Sequence, residues 1–245
     1  MIQKTLAIAI LSAVAFSATA QEWTGQGEFG LVLSNGNADN LTVNGKLDFK
    51  FEEDQWLYNV SALALRTEST NVETANRFEL GGKAGYKFNE RAYLVGSARY
   101  ENDDFAPYDY QATVAVGFGY KAIENDTTRL AFEAGPGYRR YQPTDLFVAT
   151  PAPGHFIELD AEGDFVGRGF VDFKHKLTSN TSLYDTLLVE GGTDNTFAQN
   201  DLGVQVAMSE KFAIKAGFQV RHNTDVIAPV KKTDTLTTVN LVYGF

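Results

Sequence analysis

The residues of this 245-residue chain that could carry chemistry are few: three histidines, His155, His175 and His222, two acidic runs and several glycine pairs. A histidine acting as general base needs a nucleophile within hydrogen-bond reach, and none of the three has one beside it in a recognisable motif. A rim hydrolase is therefore set aside, and the chain is expected not to be an enzyme. Asp103-Asp104, and Glu158, Asp160, Glu162 and Asp164 at alternate positions, offer the carboxylate oxygens that hard cations take. Alternate positions lie on one face of a strand, which lines ligands up instead of wrapping them around an ion, so these acids read as solvated loop surface. No helix follows Gly135, Gly137, Gly167 or Gly169, so they form no phosphate cradle. They read as positions that permit strand bending and close packing. With no cysteine, thiol redox chemistry and thiolate metal sites are excluded, and no cofactor is expected.

What remains is a pattern of charges. From Trp23 onward, segments of ten to fourteen residues alternate apolar and polar side chains, separated in turn by short polar turns and longer loops. Twelve segments are expected, near residues 24–34, 40–51, 56–68, 76–88, 91–101, 109–121, 128–140, 164–177, 181–190, 198–208, 211–222 and 234–245. This is the signature of an all-β, antiparallel transmembrane barrel. In the second segment Leu41, Val43, Leu47, Phe49 and Phe51 share one face, and Thr42, Asn44, Lys46, Asp48 and Lys50 the other. A one-residue slip would turn three charges into lipid, at roughly 2–4 kcal/mol for each basic residue near the midplane. The fourth segment divides likewise, with Phe78, Leu80, Ala84, Tyr86 and Phe88 opposite Arg77, Glu79, Lys83 and Lys87. The ninth does not: Tyr184 and Leu188 share a face with Glu190, and Leu183, Leu187 and Val189 share theirs with Asp185. Its facing stays open. A soluble barrel of lipocalin type would have to bury the charges or expose the aromatic face.

Parity thus predicts a lumen lined by Lys46, Arg77, Glu79, Lys83, Arg99, Arg129, Glu133 and Arg139 among others. Counting the strands of clear parity gives fourteen inward bases against eight acids, near +6, with acidic mouths. Charged rings set selectivity, so a narrow passage with a weak preference for anions is expected, or a filled structural barrel. Trp56, Tyr93, Tyr100, Tyr110, Tyr120 and Tyr138 stand near segment ends, where amphipathic rings suit a membrane interface.

The address agrees. Residues 1–20 read as a secretory signal, with Lys4, an apolar stretch from about Leu6 to Phe16 and Ala18-Thr19-Ala20 as the cleavage site. Residues 21–245 then form a single domain. No later stretch has the eighteen or so apolar residues a spanning helix needs. The formal charge is −10, or −11 once Lys4 leaves, which makes nucleic acid an unsuitable partner. The last strand ends on Phe245, with Tyr243, Leu241 and Val239 at alternate positions before it, as in the assembly signal of bacterial outer-membrane barrels. The partners expected are outer-membrane lipid, lipopolysaccharide and the barrel-assembly machinery, for a monomeric or weakly self-associating protein in the bacterial outer membrane.

Several stretches resemble one family, the salt-induced outer-membrane proteins, a family without an assigned activity. They are Leu33-Ser34-Asn35-Gly36-Asn37, Tyr93-Leu94-Val95-Gly96 leading to Tyr100, Leu177-Thr178-Ser179-Asn180, Ser209-Glu210-Lys211-Phe212-Ala213-Ile214-Lys215 and, most specific, Phe132-Glu133-Ala134-Gly135-Pro136-Gly137-Tyr138-Arg139. The resemblance spans nearly all of residues 21–245 and implies an outer-membrane location. The chain departs from the family at Asn102-Asp103-Asp104-Phe105 and in a longer loop after Arg140.

Overall fold

The computed structural model describes residues 23–34, 40–70, 72–148, 155–226 and 230–245. Twelve strands close into an antiparallel barrel: β1 (Trp23–Ser34), β2 (Asn40–Glu53), β3 (Trp56–Ser69), β4 (Val72–Lys87), β5 (Ala92–Asp103), β6 (Tyr108–Glu124), β7 (Thr128–Pro143), β10 (Glu162–Lys176), β11 (Thr181–Gly191), β12 (Thr196–Ala207), β13 (Phe212–Asn223) and β14 (Thr233–Gly244). Between β7 and β10 the strands β8 (Leu146–Val148) and β9 (His155–Ile157) pair as a separate hairpin, which the sequence pattern had not indicated. Every expected segment is a strand. The signal region and the first loop lie outside the described residues.

Alternation decides the walls. Phe29, Leu80, Phe118, Phe132, Phe218 and Leu241 are exposed on the outer surface, while Glu28, Arg77, Glu101, Glu133, Arg139 and Arg221 are buried inside. This inversion of the soluble pattern is what hydrocarbon around the wall demands. At the end of the barrel that holds the short turns, Trp56 meets Tyr86 edge to face at 5.2 Å, and Tyr86 meets Phe88 at 6.0 Å. At the loop end Tyr100 stacks on Tyr110 at 6.2 Å. Tyr93 departs from the expected belt: it points inward, 5% exposed, and donates to Glu133 at 3.3 Å. It shares parity with Arg99, and that was the available signal.

Two connections are tighter than the sequence suggested. The turn after β2 is closed at Asp54, whose φ of 47° is the left-handed value that two-residue hairpins use. The loop expected over 68–75 shrinks to a turn at Thr70, φ 51°, because β3 and β4 run on as strand. Among the glycines, Gly135 is a close approach, since a Cβ there would lie 2.1 Å from the Val116 carbonyl oxygen on β6. Gly169 has nothing within 4 Å, so close packing does not explain it.

The facing of β11 is settled. Glu190 points in and hydrogen-bonds Arg99, and Tyr184 lies over Lys215 in the lumen. Leu183, Leu187 and Val189 therefore face outward, and Asp185 with them. Asn200 of β12 covers that carboxylate, donating to Asp185 Oδ1 at 2.6 Å and to the Thr186 carbonyl at 3.0 Å.

Candidate functional site

The lumen is divided in depth. In its loop half, side chains from opposite walls meet. Arg221 of β13 reaches Glu101 of β5 and lies 2.8 Å from Asp103, although β5 and β13 are six places apart in a ring of twelve. Arg99 bridges Glu101 at 2.8 Å and Glu190 at 2.6 Å, and Thr113 donates to Glu190 at 3.2 Å. Arg77 donates to Gln219 at 2.7 Å, and Tyr108 to Glu101 at 3.1 Å. The guanidiniums of Arg99 and Arg221 both sit over the Phe197 ring, at 4.7 and 5.1 Å from its centroid. Glu101 and Phe197 are 0% exposed, Arg139 and Glu190 1%. Buried charges are tolerated only when paired, and here Glu101, Asp103, Asp164 and Glu190 each have at least one cation.

Lower down, Glu133 collects Lys83 at 3.0 Å and Arg168 at 2.9 Å. Both cations also lie over Phe170, at 3.6 and 5.3 Å. Toward the turn end the lumen widens into two adjoining cavities of about 220 and 320 Å³, both bordered by Lys46, Asp48, Lys50, Asp172 and Asp201. Arg129 is 3.4 Å from Asp172, and Lys87 and Lys121 share Glu52 at the rim, at 2.9 and 3.1 Å.

All eight expected lumen charges point inward. The structure joins Lys83 to Glu133 and brings Arg77, Arg99 and Arg139 into the buried loop half; Lys46 and Glu79 border the cavities without an ion pair among the described residues. The charge count is corrected. Asp103, Asp164, Glu190 and Glu52 also face inward, the first two beside Arg221 and Arg139 and the last beside Lys87 and Lys121, so fourteen bases meet twelve acids and the excess falls from +6 to +2. Two further members, Tyr108 and Phe197, were missed because a neutral ring carries no parity signal of its own. His175 and His222 lie on the outer wall, hydrogen-bonded at 2.8 Å to Thr128 and Thr233.

At the seam, Val239, Leu241, Tyr243 and Phe245 all face outward. Gly25 and Phe245 exchange backbone hydrogen bonds at 2.7 and 2.9 Å. The Phe245 ring covers Gly25 so closely that a Cβ there would lie 2.1 Å from it. Tyr243 stacks on Phe245 at 5.8 Å and packs against Phe212 at 5.2 Å.

A closed twelve-stranded antiparallel wall, apolar outside and ion-paired within, defines an outer-membrane β-barrel. Its fold is that of solved bacterial barrels: the translocator domain of the autotransporter NalP from Neisseria meningitidis superposes with a TM-score of 0.55 at 14% identity, over 94% of this chain and 90% of that one. An outer membrane channel from Pseudomonas putida F1 gives 0.49 at 11% identity, over 96% and 98%. The chain belongs to the family described as Protein of unknown function, DUF481, which matches residues 27–245. It is also 23% identical over 217 residues to the uncharacterized protein YdiY of Escherichia coli (strain K12), covering 88% of this chain and 80% of that protein.

Proposed function

We propose that the protein is a narrow small-solute passage of the outer membrane with a weak preference for anions. One observation carries this reading: fourteen inward bases face twelve inward acids, and Lys46 and Lys174, which border the 220 Å³ cavity, have no ion pair among the described residues. Long side chains meeting across the loop half keep any current small, because an ion must pass through a lattice of charges already paired. In this reading residues 1–20 are a cleaved secretory leader, residues 21–245 form one domain, and the short turns face the periplasm. Lipid and lipopolysaccharide surround a monomeric or weakly associating barrel, and the assembly machinery reads its last strand. The salt-induced type belongs to this reading through the family resemblance alone, which supplies no activity.

The test is the reversal potential of the refolded protein in a planar bilayer under a salt gradient. Small currents with a weak anion preference are expected, and a clear cation preference would defeat the charge argument. Complete absence of current would favour the second reading, a structural barrel, which the Arg221–Glu101 crossing of the lumen supports.

A further inference from the structure

The seam between β1 and β14 is incomplete. It pairs from Gly25 opposite Phe245 to Gly30 opposite Asn240. Continued upward, the same register would set Leu31 against Val239, Val32 against Thr238, Leu33 against Thr237 and Ser34 against Leu236. None of these pairs is found among the described residues, although both chains run on as strand. By alternation Leu31 faces out and Val32 faces in, yet they are 49% and 42% exposed, so the fork is open on both faces. A sheet edge does not stand open in hydrocarbon unless it lines a cavity or something covers it.

The inner side of the fork is lined unlike the rest of the lumen. Arg77 of β4 and Gln219 of β13 meet across four intervening strands, β3, β2, β1 and β14, so their bridge is a chord that sets the seam side apart. The registers place Leu65 beside Arg77 and Leu236 beside Gln219, and both leucines, with Leu63, line the 220 Å³ cavity. Leu236 and Thr238 serve two surfaces: their side chains border that cavity, and their backbone belongs to the unpaired edge. Farther up the axis the loop half is filled by the paired charges of Arg99, Arg221, Glu101 and Glu190. The apolar strip thus ends below a closed axial route and beside an open lateral one.

We propose that the fork is a lateral portal through which a single-chain amphiphile passes between this cavity and the surrounding membrane. The alkyl tail lies along Leu63, Leu65 and Leu236, and the head group stays toward the polar turn half. The tail gives the leucines the apolar contact that charged neighbours cannot, and by leaving sideways it never enters the ion-pair lattice, where burying it would break paired charges. An inorganic ion has no use for either feature.

The experiment places a single tryptophan in the lumen and bromine in the lipid. In a Trp23→Phe, Trp56→Phe background, the refolded Leu236→Trp barrel is compared in vesicles of ordinary and acyl-chain-brominated phosphatidylcholine, where bromine quenches the rings its chain approaches. Strong quenching is expected at Leu236→Trp and at Leu63→Trp, approaching that of the outward Leu80→Trp. Little is expected at Leu188→Trp, an inward site of the 320 Å³ cavity on β11, four places from β1 around the ring. The chain has no cysteine, so Val32→Cys with Thr238→Cys, opposite in the continued register, can be oxidised to close the fork. Quenching at Leu236→Trp should then fall to the Leu188→Trp level. Heat-modifiable gel migration selects folded samples. Unquenched Leu236→Trp and Leu63→Trp in folded barrels overturn the proposal, as does equal quenching at Leu188→Trp, or quenching that survives the disulfide. Where the disulfide does not form, the lumen reporters alone decide. The inference rests on the lumen being a passage, yet the two fail separately. Quenching at Leu236→Trp in a barrel without current keeps the portal and defeats the axial ion route, while an anion-preferring current with Leu236→Trp unquenched does the reverse.

Discussion

Glu190 and Asp185 sit five residues apart on β11, one inside the barrel and one outside, and the same functional group has opposite standing at the two places. Glu190 is 1% exposed and held by Arg99 and Thr113; it belongs to a network in which every carboxylate has a cation. Among the described residues Asp185 has one amide donor, Asn200, on a wall that also presents leucine, valine and phenylalanine. The inner face is therefore specified by pairing and the outer face by the absence of charge. A substitution should be judged by the face it changes before its chemistry is considered.

The largest break in that contrast is at the seam, where the outer face also carries the proposed assembly signal. Replacing Tyr243 and Phe245 together by Ser removes the rings over Gly25 and Phe212, and the yield of heat-modifiable barrel in the membrane fraction should collapse. Unchanged yield would show that the last strand carries no such signal. Next comes the inner face: Glu190→Ala leaves Arg99 without one of its two carboxylates and should cost about 3–5 kcal/mol in urea unfolding from lipid vesicles. Glu190→Gln, which still accepts a hydrogen bond, should cost less. On the outer face Leu80→Arg should cost roughly 2–4 kcal/mol if its depth is near the midplane, and Glu79→Ala, one residue away but inward, should cost less. An inverted order would mean that the two faces have been exchanged. The smallest effect has the opposite sign: Asp185→Leu should stabilise the barrel by about 1 kcal/mol, since a lipid-facing acid is mildly unfavourable. A loss of stability there would show that the Asp185–Asn200 bond outweighs the burial of charge.

Most of the wall was legible because its period is two and each face has one solvent. Lys46 and Leu47, or Glu79 and Leu80, declare their sides without any knowledge of their neighbours. Where a strand carries one acid on each face, as β11 does, parity has nothing to choose by, and the choice falls to a partner on a distant strand: Arg99 draws Glu190 inward. The crossings of the lumen were illegible for the same reason. Whether Arg221 meets Glu101 depends on how twelve strands close and with what stagger, which no single segment encodes. Tyr93 was a different kind of miss, since its parity with Arg99 was readable and the general habit of tyrosine at membrane interfaces was given more weight.

The closing seam is paired over only six positions, from Gly25 opposite Phe245 to Gly30 opposite Asn240, whereas β1 and β2 are paired over their full described length. Above Gly30 no pairing of β1 with β14 is found among the described residues. Joining residues more than two hundred apart in the chain is the entropically slowest step of building the ring, and the ladder it completes is also the shortest. The barrel is thus least cooperative where it was last to form. Amide exchange should begin in the loop half of this seam and reach β6 and β7 last, so that the wall opens as a zipper from one corner.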